Sequence, residues 1–136
     1  FKNISLVNDV QLIDFKSEMD LDKDLLFPKV YILPNGFNSA DNSIEFRFEV
    51  AVVSLRNQEP TNTDSFYKNN FADNLNQSCS IIMLALNQLM FQHNEYHISI
   101  LNNWSANVIA DAKFNLLDGY EASIVLSIQN EVSSCN

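Results

Sequence analysis

The chain has 136 residues, 46% of them hydrophobic, and its seventeen acidic and eight basic side chains give a formal charge of -9 at pH 7. This length suits a single domain, 1-136, that buries one core. Such an excess of negative charge does not suit phosphate binding, so DNA is excluded as a general ligand of the surface. The longest apolar run, Ile81 to Leu86, is far shorter than the roughly 20 residues that cross a bilayer, so no membrane span is expected.

The first half of the chain predicts one short helix and two strands. Apolar residues at helical spacing predict a helix over residues 4–14. Residues 30–33 are apolar and lie between two prolines, which predicts a short strand with Pro28 at an edge or end and a turn at Asn35-Gly36. Residues 44–53 alternate between apolar and polar side chains, which is the pattern of a half-buried strand.

The second half begins with a helix. Residues 57–70 are polar and irregular and predict a long loop. From about Phe71 to Phe91, apolar residues recur every three or four positions, and the predicted buried stripe includes Cys79. Asn70 stands at the N-cap position, and Asp73 favours the positive end of the helix dipole.

The tail predicts strands again. Residues 104–114 and 120–129 alternate, an additional short strand is indicated at 96–101, and Asp118-Gly119 is a hairpin signal because glycine adopts positive φ at little cost. The predicted fold class is α+β, in the order α-β-β-α-β-β. It consists of an antiparallel sheet of four to five strands with two helices packed on one face.

The motifs give little support to catalysis or to a cofactor. His93 and His97 could share a helix face and bind zinc, but they straddle the predicted helix end, so histidines at a helix C-terminus are the favoured interpretation. Asp20, Asp22 and Asp24 begin like a calcium loop whose later ligand positions are absent. With two glycines and no Gly-rich loop or serine elbow, we expect no enzyme activity, no metal and no cofactor.

The remaining hint is of protein partners. Phe37, Phe66, Tyr67 and Trp104 lie in or beside predicted loops, and such aromatic residues are either caps of the core or anchors of protein interfaces.

The order of these elements resembles a known family. The segments "FPKVYILP", "IEFRFEVAVVSL", "NNFADNLNQSCSIIMLALNQLM" and "DGYEASIVLSIQNE" are similar to those of tail-completion or tail-terminator proteins of tailed bacteriophages, especially forms associated with phages of Bacteroidetes hosts, including crAss-like phages. The resemblance implies a non-catalytic virion subunit that forms a homo-oligomeric ring at the neck and contacts neighbouring neck, connector or tail-tube proteins. The alternative is another non-catalytic virion component, such as a connector, baseplate or adaptor module.

This resemblance sets the remaining expectations. The protein would be located in the virion, at the tail or neck, and in the host cytoplasm during assembly. DNA would pass through the ring without binding to it, because acidic side chains lining the lumen would repel its phosphates. We expect subunit contacts from the 55–69 loop, with Arg56, Phe66 and Tyr67, and from Phe37 and Trp104.

Overall fold

The computed structural model describes residues 1, 4–12, 27–56, 70–92, 97–101, 104–112 and 117–129, which form an α+β fold. The elements are β1 (Asp9–Gln11), β2 (Lys29–Ala40), β3 (Ser43–Leu55), α1 (Phe71–Gln92), β4 (Ile98–Ile100), β5 (Ser105–Ala112) and β6 (Leu117–Gln129). The described residues thus contain six strands and one helix. The two-helix prediction is wrong for this part of the chain, whereas the strand over residues 44–53 and the helix from Phe71 are confirmed.

The six strands form one mixed sheet with the order β1-β2-β3-β6-β4. The long strands β3 and β6 lie at its centre, and β4 and β5 both pair with the other side of β6. All pairings are antiparallel except β1 with β2, which is parallel. The expectation of a wholly antiparallel sheet is therefore corrected at this edge.

The main core lies between α1 and one face of the sheet. Ile81, Ile82, Ala85 and Leu86 of the helix pack on alternate residues of β2, β3 and β6, which belong to the same buried cluster (Val30, Val50, Val52, Ala122 and Ile124). Burying such aliphatic side chains stabilises the fold by about 1.5–3 kcal/mol each. We call this side of the sheet the helix face.

The opposite face of the sheet holds a smaller cluster. Tyr31, Ala51, Val53 and Leu117 are buried there. Lys29 is also buried, and its Nζ lies 3.4 Å from a carboxylate oxygen of Asp9 on β1. The edge strand β1 therefore contributes a charge partner as well as backbone pairing.

The predicted helix over residues 4–14 is wrong where the structure describes it. Residues 4–7 form a turn, in which the N–H of Val7 donates to the carbonyl of Ile4, and β1 follows. Ile4, Val7 and Val10 still contact the core. Over so few residues the spacing of apolar side chains does not separate a helix from a turn followed by a strand, and pairing with β2 supplies β1 with backbone partners.

The predicted turn at Asn35-Gly36 is also wrong, because β2 continues through both residues to Ala40. The register with β3 shifts between Pro34 and Phe37, and Gly36 has a φ of 99°, so glycine is used there to form a bulge. The reversal of the chain occurs instead between Ala40 and Ser43, which are paired.

Asp118 and Gly119 lie inside β6, so the predicted hairpin at this pair is wrong. The connection from β5 to β6 falls within residues 113–116, which are outside the described residues. Gly119 is opposite Val53, and a Cβ atom built on it would lie 1.8 Å from the carbonyl oxygen of Val52. Glycine is required here because two backbones approach closely, and not because the chain turns.

The buried stripe of α1 is rotated from the predicted one. Cys79 is exposed, whereas Asn74 and Ser78 are buried in the first half of the helix. The amide of Asn74 donates to the carbonyl of Leu55, so this half of α1 packs on polar groups at the end of β3. Polar residues that resemble a solvent-facing side therefore lie inside.

Candidate assembly surface

The middle of the chain carries almost no charge. From Asn74 to Ala110, 37 residues contain a single Asp, Glu, Lys or Arg, which is Glu95, although the chain's average of 18% would give about seven. This stretch includes most of α1, all of β4 and most of β5. The charged side chains of the protein are therefore concentrated elsewhere.

The outer side of α1 exposes apolar side chains. Met83 and Leu84 are 44% and 43% exposed, and Phe91 is 81% exposed at the end of the helix. Their exposed neighbours Ser80 and Asn87 are polar but uncharged. A helix of a soluble monomer normally carries charged residues on this side, so these residues form an apolar surface without a partner in the described chain.

The exposed side of α1 continues onto the edge of the sheet. A small cavity of about 50 Å³ lies between Cys79 and Met83 of the helix and Trp104 and Ala106 beside them. Val108, two residues further along β5, is 55% exposed. We call the combined area the charge-poor surface, defined as the exposed residues of α1 from Cys79 onward together with the helix-face residues Ala106 and Val108 of β5 (Cys79, Ser80, Met83, Leu84, Asn87, Phe91, Ala106 and Val108).

Phe37 and Trp104, two of the predicted contact residues, lie near opposite edges of the sheet. Phe37 is 66% exposed on the outer strand β2, and its ring centroid is 5.9 Å from that of Phe46. Trp104 is half-buried and packs against the main core while lining the small cavity beside β5. The structure therefore does not bring these two residues together within one copy.

Arg56 is engaged within the chain. Its Nε and Nη2 donate to the two carboxylate oxygens of Asp118 at 2.7 and 2.6 Å, and its guanidinium lies 4.9 Å from the ring centroid of Phe71. Asp118 is fully buried, so the two-bond pair satisfies a carboxylate that would otherwise be very costly to bury. Arg56 thus joins the end of β3 to the start of β6 and the start of α1.

The first turn of α1 is anchored at the same place. The carbonyl of Asn70 accepts the N–H of Asn74, as expected at an N-cap, and the Asn70 amide donates to the carbonyl of Leu55. Ser54 Oγ donates to Gln77 Oε1 at 3.3 Å. Phe66 and Tyr67, the other predicted contact residues, lie outside the described residues.

The face of the sheet opposite α1 carries acidic side chains. Glu45 and Glu49 of β3 and Glu121 of β6 are half-buried there, and Arg47 lies between the first two. The helix face carries the Arg56–Asp118 pair at one end. Within the described residues, charged side chains thus lie on both faces of the sheet.

The described residues do not combine groups that suggest catalysis. An apolar cavity of about 270 Å³ opens between the second half of α1 and the sheet, lined mainly by Phe1, Ile32, Phe48, Leu86 and Ile124 and their neighbours. No group of three or more His, Cys, Asp or Glu side chains that could hold a metal ion occurs in the described ranges. His97 is at a turn with a φ of 48°, whereas His93 is not among the described residues.

The sequence prediction missed the exposed Met83, Leu84, Phe91 and Val108. Helical and strand periodicity had placed Phe91 at a helix end and Val108 on an alternating strand, but had not identified either as an exposed residue on a common surface. The signal in the sequence that could have found them is the low number of charged residues from Asn74 to Ala110, where Glu95 is the only one. Apolar content alone does not identify such a surface, because much of any protein surface is apolar.

The comparisons with known proteins do not assign a family. Within the described part of the chain, no helix is long and apolar enough to cross a membrane. No protein-family model matches the sequence, and no curated protein is significantly similar to it.

Proposed function

We propose that this chain is a structural, non-catalytic subunit of a tailed-bacteriophage virion that assembles with copies of itself into a ring at the head-tail junction, as a tail-terminator or tail-completion protein. The observation that carries the assembly part of the proposal is the charge-poor surface of α1 and β5 on a chain with a formal charge of -9. The neck location rests on the family resemblance of the sequence.

The physical reason lies in the cost of bringing like charges together. Two copies with a charge of -9 repel each other, and burying an unpaired carboxylate in an interface would add a large desolvation cost. The charge-poor surface avoids both costs locally, because contact there removes apolar area from water without covering a charged group. Exposed Phe91, Leu84 and Val108 provide that apolar area.

The charge distribution also supports a non-sticking passage for DNA. In the proposed ring, the sheet face opposite α1 lines the lumen, where Glu45, Glu49 and Glu121 repel phosphates. Replacing these three residues by lysine should cause salt-sensitive retention of DNA on the assembled ring, whereas replacement by glutamine should cause much less. Equal DNA retention by both sets would contradict the assignment of this face to the lumen.

Two experiments test the assembly surface. Sedimentation should show tighter self-association when NaCl is raised from about 0.1 M to about 1 M, because the Debye length falls from about 10 Å to about 3 Å and the repulsion between copies is screened. Weaker association at high salt would mean that ion pairs hold the copies together, and would contradict a charge-poor interface.

A pair of variants with the same change in charge locates the contact. Leu84→Glu adds a carboxylate to the charge-poor surface and should weaken self-association at least tenfold. Ser123→Glu adds one to an exposed position on the opposite face and should change it much less. Circular dichroism checks that both variants are folded, and equal effects of the two substitutions would remove the charge-poor surface from the proposal.

The neck location needs the virion itself. Electron microscopy of purified particles labelled with an antibody to this chain should place the label at the head-tail junction, and images of the purified protein should show closed rings. Label at the baseplate or on another part of the particle would favour the alternative, a different non-catalytic virion component. Absence of the chain from purified virions would reject both.

A further inference from the structure

Among the strands that the structure describes, none pairs with the outer edge of β5, so some of its backbone groups point away from the sheet. The N–H of Leu101 donates to the carbonyl of Val125 at 3.0 Å, so Val125 directs its backbone groups to the β4 and β5 side of β6. β6 pairs with β3 without a register shift. The backbone N–H and C=O groups of every second residue of β6, counted from Val125, therefore point to the same side as those of Val125. The partners of these residues on β5 are Ser105, Asn107 and Ile109.

It follows that the other residues of β5 point their backbone groups away from the sheet. These are Ala106 and Val108, and both are exposed. No described strand pairs with this side of β5. Edge strands are commonly blunted by proline, lysine, inward-pointing charges or bulges; residues 104–109 contain no proline and no charge, and the register shift of β5 follows between Ile109 and Ala112.

The outer edge of β2 is open in the same way beyond β1. Asn38 and Ala40 are opposite β3 residues that direct their backbone groups to β2, so Phe37 and Ser39 direct theirs outward. β1 pairs only with residues 29–31, and residues 35–40 are all exposed. We call residues 37–40 the distal segment of β2; it is also uncharged.

Each open edge carries one exposed large apolar side chain on the helix face. Phe37 is opposite Phe46, which is opposite Leu126, and Val108 is opposite Tyr120. Leu126 and Tyr120 both pack against the core under α1, which places Phe37 and Val108 on that same face. One copy therefore has two apolar edge residues that its own fold leaves uncovered.

We propose that β5 of one copy pairs with the distal segment of β2 in the next copy of this chain, with Val108 opposite Phe37. This inference rests on the proposed ring, because a contact between two different surfaces is what allows a ring to close. The second copy is the occupant because this chain supplies both uncharged edges. An aromatic and a β-branched side chain form a favourable cross-strand pair.

The strand directions are compatible with this pairing. β2 and β6 are both antiparallel to β3, and β5 is antiparallel to β6, so β2 and β5 run in opposite directions. A ring rotation leaves the component of the strand direction along the ring axis unchanged, so inclined strands keep the same sense from copy to copy. The new pair is therefore antiparallel, and both side chains stay on the helix face.

Val108 and Phe37 lie at different positions along the strand direction, and this offset sets the tilt of the strands in the ring. Val108 is level with Tyr120 of β6, and Phe37 is level with Leu126, six residues further along. That offset is about 20 Å, and one repeat of four strand spacings is about 19 Å wide. The strands would then incline by about 45° to the ring axis, at the upper end of the roughly 35–45° typical of closed sheets.

Disulfide trapping tests the pairing directly. Phe37→Cys and Val108→Cys are made as separate proteins in a chain whose Cys79 and Cys135 are replaced by serine, and each is oxidised alone and after mixing. Directly opposite residues on paired strands have Cα atoms about 5.5 Å apart, within the range that a disulfide spans. We expect a covalent dimer only in the mixture.

The other outcomes separate this inference from the proposed function. A covalent dimer of Val108→Cys alone would mean that β5 pairs with β5, and would overturn the inference. Rings in electron micrographs without a covalent dimer in the mixture would also overturn it, but would leave the proposed function standing. A protein that is monomeric at all concentrations would remove both.

A backbone variant provides the second test. Val108→Pro removes an outward N–H with which no described strand of the same copy pairs, and proline is tolerated at such edge positions. Val108→Thr keeps the N–H and is the matched control. We expect the proline variant to remain folded and lose self-association at least tenfold while the threonine variant loses little, and a folded proline variant that assembles normally would overturn the inference.

Discussion

Gly119 offers a sharp test of how the two central strands are packed. In the Gly119→Ala variant, the new Cβ would lie 1.8 Å from the carbonyl oxygen of Val52 and 3.0 Å from the Cα of Val53. Real Cβ atoms essentially never approach another heavy atom more closely than 3.0 Å. One strand must therefore move by at least about 1.2 Å, and the obstacle is backbone, which cannot rotate away as a flexible side chain would.

The magnitude follows from where this movement occurs. Val52 and Val53 are fully buried on the two faces of β3, and β3 pairs with β6 along its whole length. Overpacking in a core costs about 1–3 kcal/mol and sometimes more, so we expect Gly119→Ala to lower the free energy of unfolding by about 3 kcal/mol or more. With a urea slope of about 2 kcal/mol per molar, the unfolding midpoint should fall by about 1.5 M.

Gly36→Ala is the matched control. It adds the same methyl group, but its cost comes from the backbone conformation and not from a clash with a neighbouring strand. No heavy atom lies within 4 Å of a Cβ built on Gly36, but its φ of 99° disfavours any side chain. That conformation costs about 1–2 kcal/mol, which corresponds to a shift of about 0.5–1 M in the midpoint.

Unfolding in urea is followed by the fluorescence of Trp104, the only tryptophan, at a concentration where the protein is monomeric. A Gly119→Ala protein that cannot be obtained folded would agree with the reasoning. If its midpoint falls no further than that of Gly36→Ala, the close approach of β3 and β6 at Gly119 is not the reason for the glycine.

The other stability predictions concern the buried ion pair and the two sides of α1. Arg56→Ala should lower the free energy of unfolding by about 3 kcal/mol because it leaves the buried Asp118 carboxylate without these two bonds, whereas Asp118→Asn should cost about 1–2 kcal/mol because Arg56 is partly exposed and can hydrate. A larger loss for Asp118→Asn in urea titration would contradict this order. Ile81→Ala should cost about 2–5 kcal/mol, and Met83→Ala less than about 0.5 kcal/mol in the monomer. Comparable losses by thermal unfolding would mean that the buried side of α1 is misassigned.

The long elements could be predicted from the sequence because their patterns repeat often. β3 alternates over many residues, and α1 repeats its apolar positions over several turns, so each pattern has one good interpretation. Short or interrupted patterns failed. The segment before β1 and the Pro34–Gly36 part of β2 each allow a turn, a bulge or a helix, and pairing with a neighbouring strand decides among them.

The sequence identified some candidate contact residues but not where the fold places them. Phe37 and Trp104 were identified as aromatic residues near loops, but their positions near opposite edges of the sheet depend on the order of its strands. Arg56 was predicted as a contact residue because of its place beside a loop, and the tertiary structure gives it an internal partner 62 positions away. Nothing in the residues around Arg56 indicates Asp118, since the ion pair depends on strands that meet only in the folded chain.

By itself the sequence determined the class of fold, the negative charge and the stretch from Asn74 to Ala110 with a single charged residue, because composition and periodicity are local properties. The tertiary structure alone decided which residues of this stretch are exposed on α1 and β5, and that Asn74 and Ser78 lie inside. It also showed that Gly119 allows a close approach of two strands and does not form the hairpin turn that the sequence predicts. These features depend on contacts between residues far apart in the chain, and such contacts exist only once the sheet has its order and register.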